Sequence, residues 1–373
     1  MHRQPVIHVC EALGGGILRV VGPLANATAA RDLPTTVVYG RRPETPGDLS
    51  AHFDAAVRLV PVPGWGDRSP WASLRSMAKA AQILRREISG HPVPGVLHVH
   101  STYAGLVGRL VAAPHWRRFY TPHAYVFLNP SKPRAIRSLA WCCEFVLGRR
   151  GLTLACSQTE GAVAARLVGR GRVTVVLNGI DPPVPVPVPA TGPRRRSDDC
   201  FRVVSVGRAA FQRRPDLVAE VALLLAGEPD IEVRWIGDGP ERAVLSRAGV
   251  SLTGWLGQEA AYKELGAADA VLHLSAFEGL PFALLEAMAR RVPVIASDLP
   301  VIREVLGDTG VLVAGASEAA AAALRLKADP AAGDDLAERA ADRVRRHFTR
   351  SGMVDGALAA YGIGAKPEAE NDA

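Results

Sequence analysis

Short apolar runs alternate with amphipathic stretches along most of this chain. Val6 to Val9, Thr35 to Tyr39, Val57 to Val60 and Val96 to His100 are brief, apolar and bounded by turn-forming residues, which predicts strands. The spacing of Leu18, Val21, Leu24 and Ala25, and the pattern from Leu74 to Ile88, predict helices between them. The same grammar restarts at Phe201 to Val206, continues through a helix over Asp216 to Leu225 and a strand over Ile231 to Ile236, and reaches the run Ala270-Val271-Leu272-His273-Leu274. Strand and helix in alternation predict a parallel sheet covered by helices on both faces. Pro182-Pro183-Val184-Pro185-Val186-Pro187-Val188-Pro189 can enter neither a helix nor a sheet interior and predicts an extended junction, followed by a solvated Arg194-Arg195-Arg196. The expected organisation is α/β, with two Rossmann-like domains, residues 1–181 and 201–345, joined by a Pro-rich linker, 182–200. A carboxyl-terminal segment, 346–373, carries the end of a helical pattern over Leu336 to Tyr361, with a break expected near Ser351-Gly352 and a disordered tail from Lys366. Two such domains joined by a stiff linker make a cleft at the carboxyl ends of their strands, where these folds bind ligands.

Composition narrows the classes. The 373 residues, 48% hydrophobic and 22% charged, suit about two globular domains with sizeable cores. No apolar run approaches the ~20 residues of a membrane span, and Met1 to Val9 enters a strand without a signal-peptide pattern, so a cytoplasmic location is expected. Five scattered cysteines, without metal spacing, read as small buried hydrophobes of a reducing compartment. A net charge of +7 attracts polyanions, but 6% aromatics and the lack of a binding motif argue against nucleic acid.

The segment Phe277 to Glu286 concentrates the chemistry. Gly279 permits close backbone approach, Pro281 suits the first helical position, and the helix end with its free N–H groups favours a phosphate. Glu278 and Glu286 then accept hydrogen bonds from hydroxyls on either side of that phosphate, whereas a second anion would be repelled. A strand, turn and core helix with two solvated glutamates is the ordinary alternative. Gly14-Gly15-Gly16 after the first strand is a glycine-rich turn without dinucleotide spacing, since Arg19 stands at the third glycine position.

Glu278, seven residues and Glu286, continuing as Glu286-Ala287-Met288-Ala289 and Val292 to Ser297, resemble the signature of the retaining glycosyltransferases of family 4. Tyr120-Thr121-Pro122-His123-Ala124-Tyr125 is similar to the Thr-Pro-His-Gly-Tyr segment of bacterial polysaccharide glycosyltransferases, with Ala124 at the usual glycine. Val175 to Asp181, including the turn pair Asn178-Gly179, resembles the close of the first domain, and Gly207-Arg208 with Arg213 matches the family's Gly-Arg and Lys phosphate clamp, arginine replacing lysine. Gly237-Asp238-Gly239-Pro240 and Thr253-Gly254-Trp255-Leu256 match turns near the nucleotide. The resemblance implies the GT-B arrangement, a last helix crossing back to the first domain, and transfer of a sugar from a UDP- or GDP-linked donor to a hydroxyl of a glycan or polyprenyl-linked acceptor. Catalytic roles fall to His123, Glu278, Arg208 and Arg213. Substrate binding falls to Gly15, Gly16, Glu286, Gly279, Leu280, Pro281, Phe282, Leu256 and Gly237. Neither cofactor nor metal is implied.

Three other readings share the architecture. A phosphorylase would need a pyridoxal phosphate lysine, and Lys263 sits in no recognisable context. A sugar-nucleotide epimerase and a non-catalytic sugar-nucleotide-binding protein stay open. His98 and His100 share a strand face, yet the sequence suggests no further metal ligand. From Arg134 to Arg150 the helical period puts Ile136, Leu139, Ala140, Cys143, Val146 and Leu147 on a core stripe and Arg134, Trp141, Phe145 and Arg149 outward. Aromatics among arginines on an outer face suit an anionic membrane surface, or packing against another helix, so peripheral attachment to the inner face of the cell membrane is one expectation.

Overall fold

The computed structural model describes residues 3–42, 44–66, 70–181 and 200–364. The proline-rich stretch, the arginine triplet after it and the tail from Lys366 lie outside the described residues. The chain divides into two compact units: the first takes the described residues of Met1–Leu128, Lys132–Asn178 and Arg350–Ala373, the second Asn129–Ser131 and Gly179–Thr349.

In the first unit β1 (Val6–Cys10), β2 (Thr35–Tyr39), β3 (Val57–Pro61), β4 (Val96–His100), β5 (Arg117–Thr121), β6 (Leu152–Ala155) and β7 (Val173–Val175) form one parallel sheet in the order 3-2-1-4-5-6-7. Its connecting helices are α1 (Gly15–Ala29), α2 (Pro70–Ser89), α3 (Thr102–Leu110), α4 (Arg134–Leu147) and α5 (Gln158–Val168). Every residue of β1 and β4 is buried, because helices cover both faces of these central strands. Ile7 and Val9 pack with Leu84, Leu97 and Val107, whereas Cys10 packs with Leu13, Leu18 and Val21, as the alternation of a strand requires.

The second unit repeats the plan with β8 (Phe201–Val206), β9 (Ile231–Ile236), β10 (Ser251–Leu252), β11 (Ala270–His273), β12 (Val294–Ser297) and β13 (Val311–Val313), all parallel in the order 10-9-8-11-12-13. Its helices are α6 (Pro215–Leu224), α7 (Arg242–Arg247), α8 (Gln258–Gly266), α9 (Phe282–Ala289), α10 (Pro300–Leu306), α11 (Ala316–Ala328) and α12 (Pro330–His347). The last helix, α13 (Arg350–Ala360), counts with the first unit, where it packs on α1. In each sheet the chain reverses its direction of growth beside the first strand, between β1 and β4 and between β8 and β11, the point where doubly wound sheets open a crevice.

Three expectations are corrected. The terminal helical pattern breaks at Phe348-Thr349 instead of Ser351-Gly352: Phe348 is buried, and its carbonyl accepts from the Ile180 N–H at 2.9 Å, leaving the helical ladder. Pro281 is the residue that caps α9, with φ −80° and ψ 119°, and Phe282 is the first helical residue. On α4 the stripe assigned to the core is covered only in part: Leu147 is buried and Ala140 and Cys143 half-buried, whereas Ile136, Leu139 and Val146 are 48%, 65% and 60% exposed. Beside Leu147, α4 turns Glu144 inward, whose carboxylate accepts from Arg109 at 2.8 Å and from the Tyr120 hydroxyl at 2.9 Å, all three side chains buried. Arg109 also lies over the Tyr120 ring, 4.0 Å from its centroid. An isolated buried charge is expensive, so a paired one dictates which face of the helix turns inward.

Candidate functional site

In the second unit the β11 strand ends at His273, and the chain turns through Ser275 and Glu278 into α9. Glu278 is nearly fully buried and collects donors: Arg213 at 2.5 Å and the Ser275 hydroxyl at 2.8 Å on Oε1, and the Gln212 amide at 3.1 Å on Oε2. Burial alone would raise the Glu278 carboxyl, but Arg213, His273 and Ser275 together hold it below its ordinary value. Arg213 Nη1 also donates to His273 Nε2 at 2.9 Å. Burial, and then the neighbouring Arg213 charge, lower the His273 pKa, so the imidazole stays neutral and can accept. The Ser275 N–H is tied to Ser297 Oγ at 3.0 Å, which fastens the turn to β12. The result is an ionised carboxylate and a guanidinium fixed side by side at the centre of the sheet, each with hydrogen-bonding capacity left over.

Glu286, two-thirds of the way along α9, is buried and accepts from the Tyr262 hydroxyl at 2.9 Å, while Arg290 lies 3.5 Å from the centroid of the Tyr262 ring. Gly279, Leu280, Pro281 and Phe282 are buried around the start of α9. Arg208 follows the β8 strand and is half-buried. Gly237 has φ +131°, and a Cβ there would stand 2.2 Å from the Gly207 carbonyl, so only glycine allows this close approach of the β8 and β9 turns. Leu256 and Trp255, in the turn after β10, are exposed.

In the first unit Gly15 and Gly16 are the opening residues of α1, not a free turn, and Gly15 has φ +51°. His123 and Ala124 both adopt positive φ, 53° and 76°, a left-handed pair of non-glycine residues that costs energy and is held from outside. The holder is Glu160, buried at the third position of α5, whose carboxylate accepts from the Ala124 N–H at 2.8 Å and the Cys156 N–H at 2.9 Å. Its own N–H donates to the capping Ser157 hydroxyl at 3.0 Å, a helix start that doubles as a brace for the His123 turn. Behind that turn stand His98 and His100 of β4 and, from β1, His8, whose register partner is His98. The potential ligand atoms of His8, His98 and His100 all lie within 4.8 Å of one another. The sequence reading found two of these histidines and missed His8, as it missed His273, Gln212, Ser275, Tyr262 and Glu160. His8 and His273 each interrupt an apolar strand at a buried position, a signal that a search for polar residues inside predicted strands would have found.

Two family descriptions match the chain: Glycosyltransferase Family 4 over residues 14–184 and Glycosyl transferases group 1 over residues 200–329. The chain belongs to this family of glycosyltransferases, and its two parallel α/β units have the GT-B fold. Sucrose-phosphate synthase from Thermosynechococcus elongatus superposes with a TM-score of 0.79 at 20% identity, over 96% of this chain and 98% of that one. HepE of Anabaena, solved with UDP and glucose, gives 0.75 at 18% identity, over 96% and 100%. Among relatives by sequence, the lipopolysaccharide core biosynthesis glycosyltransferase LpsD of Rhizobium meliloti is 29% identical over 219 residues, 55% of this chain and 62% of the relative. The chain therefore spans less than two thirds of that protein's length. An Escherichia coli UDP-Gal:α-D-GlcNAc-diphosphoundecaprenol α-1,3-galactosyltransferase is 24% identical over 276 residues, 68% of this chain and 69% of the relative.

Proposed function

We propose that this protein transfers a hexose-type sugar, with retention of anomeric configuration, from a nucleoside diphosphate sugar to a hydroxyl of a glycan or polyprenyl-linked acceptor in cell-surface polysaccharide synthesis. The observation that carries the reading is the Arg213–Glu278–His273 cluster at the end of β11, beside the start of α9. Arg213 and Arg208, with the positive end of the α9 dipole, neutralise a leaving diphosphate; preorganised charge of this kind can replace a divalent ion. Glu278 holds sugar hydroxyls and Glu286 the ribose, for which the neighbouring Tyr262 hydroxyl keeps the carboxylate oriented. Gly237 and Leu256 border the base, Gly15 and Gly16 lie near the diphosphate and acceptor, and His123 supplies a hydrogen bond to the sugar. The implied chemistry is front-face departure and attack through an oxocarbenium-like state, the leaving phosphate taking the acceptor's proton. UDP and glucose in the HepE structure, and the UDP-galactose of the Escherichia coli relative's name, favour a uridine donor.

The test is incubation with a panel of UDP- and GDP-sugars, following nucleotide release with and without acceptor lipid and with EDTA. Acceptor-dependent release that survives EDTA supports the reading. Release that requires added magnesium or manganese overturns metal independence, and interconversion of the sugar nucleotides without release would make the protein an epimerase.

Peripheral contact with anionic lipid forms part of this proposal. Trp141 and Phe145 stack at 5.4 Å on the exposed side of α4, with Arg149 4.1 Å from the Phe145 ring and Arg134 exposed at the first turn. With Ile136, Leu139 and Val146 also exposed, an apolar surface edged by arginines faces away from the unit that carries it. Among the described residues no helix is long and apolar enough to cross a membrane. Wild type should sediment with anionic vesicles and release in high salt, and Trp141→Ser with Phe145→Ser should bind poorly while retaining nucleotide binding. Equal sedimentation of the two proteins removes the membrane from the proposal.

A further inference from the structure

The histidines behind the His123 turn are joined end to end. His8 Nδ1 lies 3.2 Å from His100 Nε2, and His100 Nδ1 lies 3.2 Å from His123 Nε2, so three imidazoles form one file that begins in the core and ends at a half-buried residue. A parallel branch runs from the Tyr361 hydroxyl through His98 Nδ1, at 2.5 Å, to Thr121 Oγ1 on His98 Nε2, at 2.9 Å. His98 thus has partners at both ring nitrogens and stays outside the file, its ring tilted by 41° against that of His100 at a 3.9 Å centroid separation. At the inner end His8 is fully buried and its Nε2 has no partner among the described residues.

That unpartnered atom sets the direction of the file. A neutral imidazole carries one N–H, and two N···N contacts need one proton each, so only two arrangements exist. In one, His8 donates from Nδ1, His100 donates from Nδ1, and His123 accepts at Nε2 and keeps its proton on Nδ1. In the other every proton is on Nε2, and His8 buries an N–H with no acceptor. Orphaned buried donors are rarer than under-used acceptors, so the first arrangement is favoured. Burial lowers the pKa of His8 to about 3 and of His123 to about 4, and lowers that of His100, which keeps all three rings neutral.

We infer that His8 and His100 are positioning residues that lock His123 into its Nδ1–H tautomer, so that His123 meets a ligand as a neutral hydrogen-bond donor and binds a hydroxyl oxygen. The tautomer lock stands on the first unit alone, and the further statement that the hydroxyl belongs to the donor sugar rests on the proposed function. A divalent metal among His8, His98 and His100 is a weaker reading of the same cluster: five of their six ring nitrogens already have partners, and no carboxylate of the set would offset the ion's charge.

The experiment is nitrogen-15 NMR of the full chain labelled at histidine, with wild type, His100→Asn, His100→Phe and His8→Phe. An asparagine amide nitrogen stands about where Nδ1 was and can still donate to His123. Wild type and His100→Asn should therefore show His123 protonated on Nδ1. His100→Phe and His8→Phe should show both tautomers of His123, and where one of these two fails to fold the other carries the comparison. Turnover reads the same lock: His100→Phe should raise KM for the donor roughly tenfold while His100→Asn stays near wild type. Protonation on Nε2 in wild type, or an unchanged signature in the phenylalanine variants, overturns the lock. So does uptake of one equivalent of zinc by wild type that His8→Phe abolishes. If His123→Asn leaves turnover unchanged while the nitrogen signature is as expected, the lock stands and the role of His123 in sugar transfer fails.

Discussion

The two units share a plan and differ in how they build the crevice at their switch points. The second gathers full charge: Arg213 and Glu278 lie 2.5 Å apart, with Ser275, Gln212 and His273 consuming part of their hydrogen-bonding capacity. The first gathers neutral rings, His8, His98, His100 and His123, in a core where burial keeps them unprotonated. Charge fixed next to opposite charge suits a diphosphate, because it needs no reorganisation when the ligand's own charge develops. Neutral donors suit hydroxyl groups, where fixed direction counts for more than field.

Acid should separate the two units most strongly. The four histidines of the first unit have pKa values lowered by burial from 6.5, so the folded state binds fewer protons than the unfolded chain below that pH. Stability is then lost as pH falls from 6.5 towards the folded values, by up to about 1.4 kcal/mol per pH unit for each histidine. Glu160, raised by burial, works in the opposite sense and offsets part of that loss as it protonates. In the second unit His273 acts in the same window, but Glu278, held below its ordinary 4.5, gives up its contribution only under that pH. Hydrogen exchange at pH 7.5 and pH 5 should show peptides of the first unit losing protection first, and parallel losses would break the contrast.

Glu278→Ala should come next. It strips Arg213 of its counter-charge in a mostly buried position, at a cost of about 3 kcal/mol or more to the second unit by denaturant unfolding. Glu278→Gln, which keeps the shape and some acceptors, should cost less; equal losses would mean that the carboxylate charge carries the whole effect, and a Gln variant as stable as wild type that the charge contributes nothing.

Arg213→Ala should lower turnover by about 10²-fold, the usual effect of losing one preorganised charged donor. The contacts of Arg213 with His273, Ser275 and Glu278 all use the single atom Nη1. A lysine ammonium can occupy that point, so Arg213→Lys should keep most activity; a Lys variant as inactive as Ala would show that the planar fork itself is needed.

Glu286→Ala should weaken nucleoside diphosphate binding by about 1.5–3 kcal/mol, one to two decades, in calorimetric titration. A folded variant with unchanged affinity would remove Glu286 from the site. The smallest effect belongs to the first unit: Ala124 adopts φ +76°, a backbone region that favours glycine, and Ala124→Gly should stabilise by about 0.5–1 kcal/mol in thermal unfolding. Destabilisation would mean that the Glu160 brace, not the backbone preference, governs this turn.

The strands were legible because a period of two and a bounded apolar run are local properties: Thr35–Tyr39, Val96–His100, Phe201–Val206 and Ile231–Ile236 have the limits the pattern predicts. The Glu278 to Glu286 segment was legible as a strand end, a turn and a helix, and Gly207, Arg208 and Arg213 were singled out by the family resemblance; that Arg213 lies against Glu278 was visible only in the structure. The inward face of α4 was legible only in part: Leu147 is buried as its period predicts, but Glu144 was not foreseen there. Hydrophobic periodicity assigns Ile136, Leu139 and Val146 to a core, but the preference of Glu144 for Arg109, 35 residues away in sequence, is a long-range electrostatic term that outweighs it. The partner of Glu278 and the third histidine were hidden for the same reason. Sequence alone determined the alternation of elements, the doubly wound class and which residue types crowd the strand ends. Only the tertiary structure decided which of them meet, because strand order brings His8 beside His98 and the β11 turn beside Arg213, and contacts across 60 to 263 residues are not written in any local period.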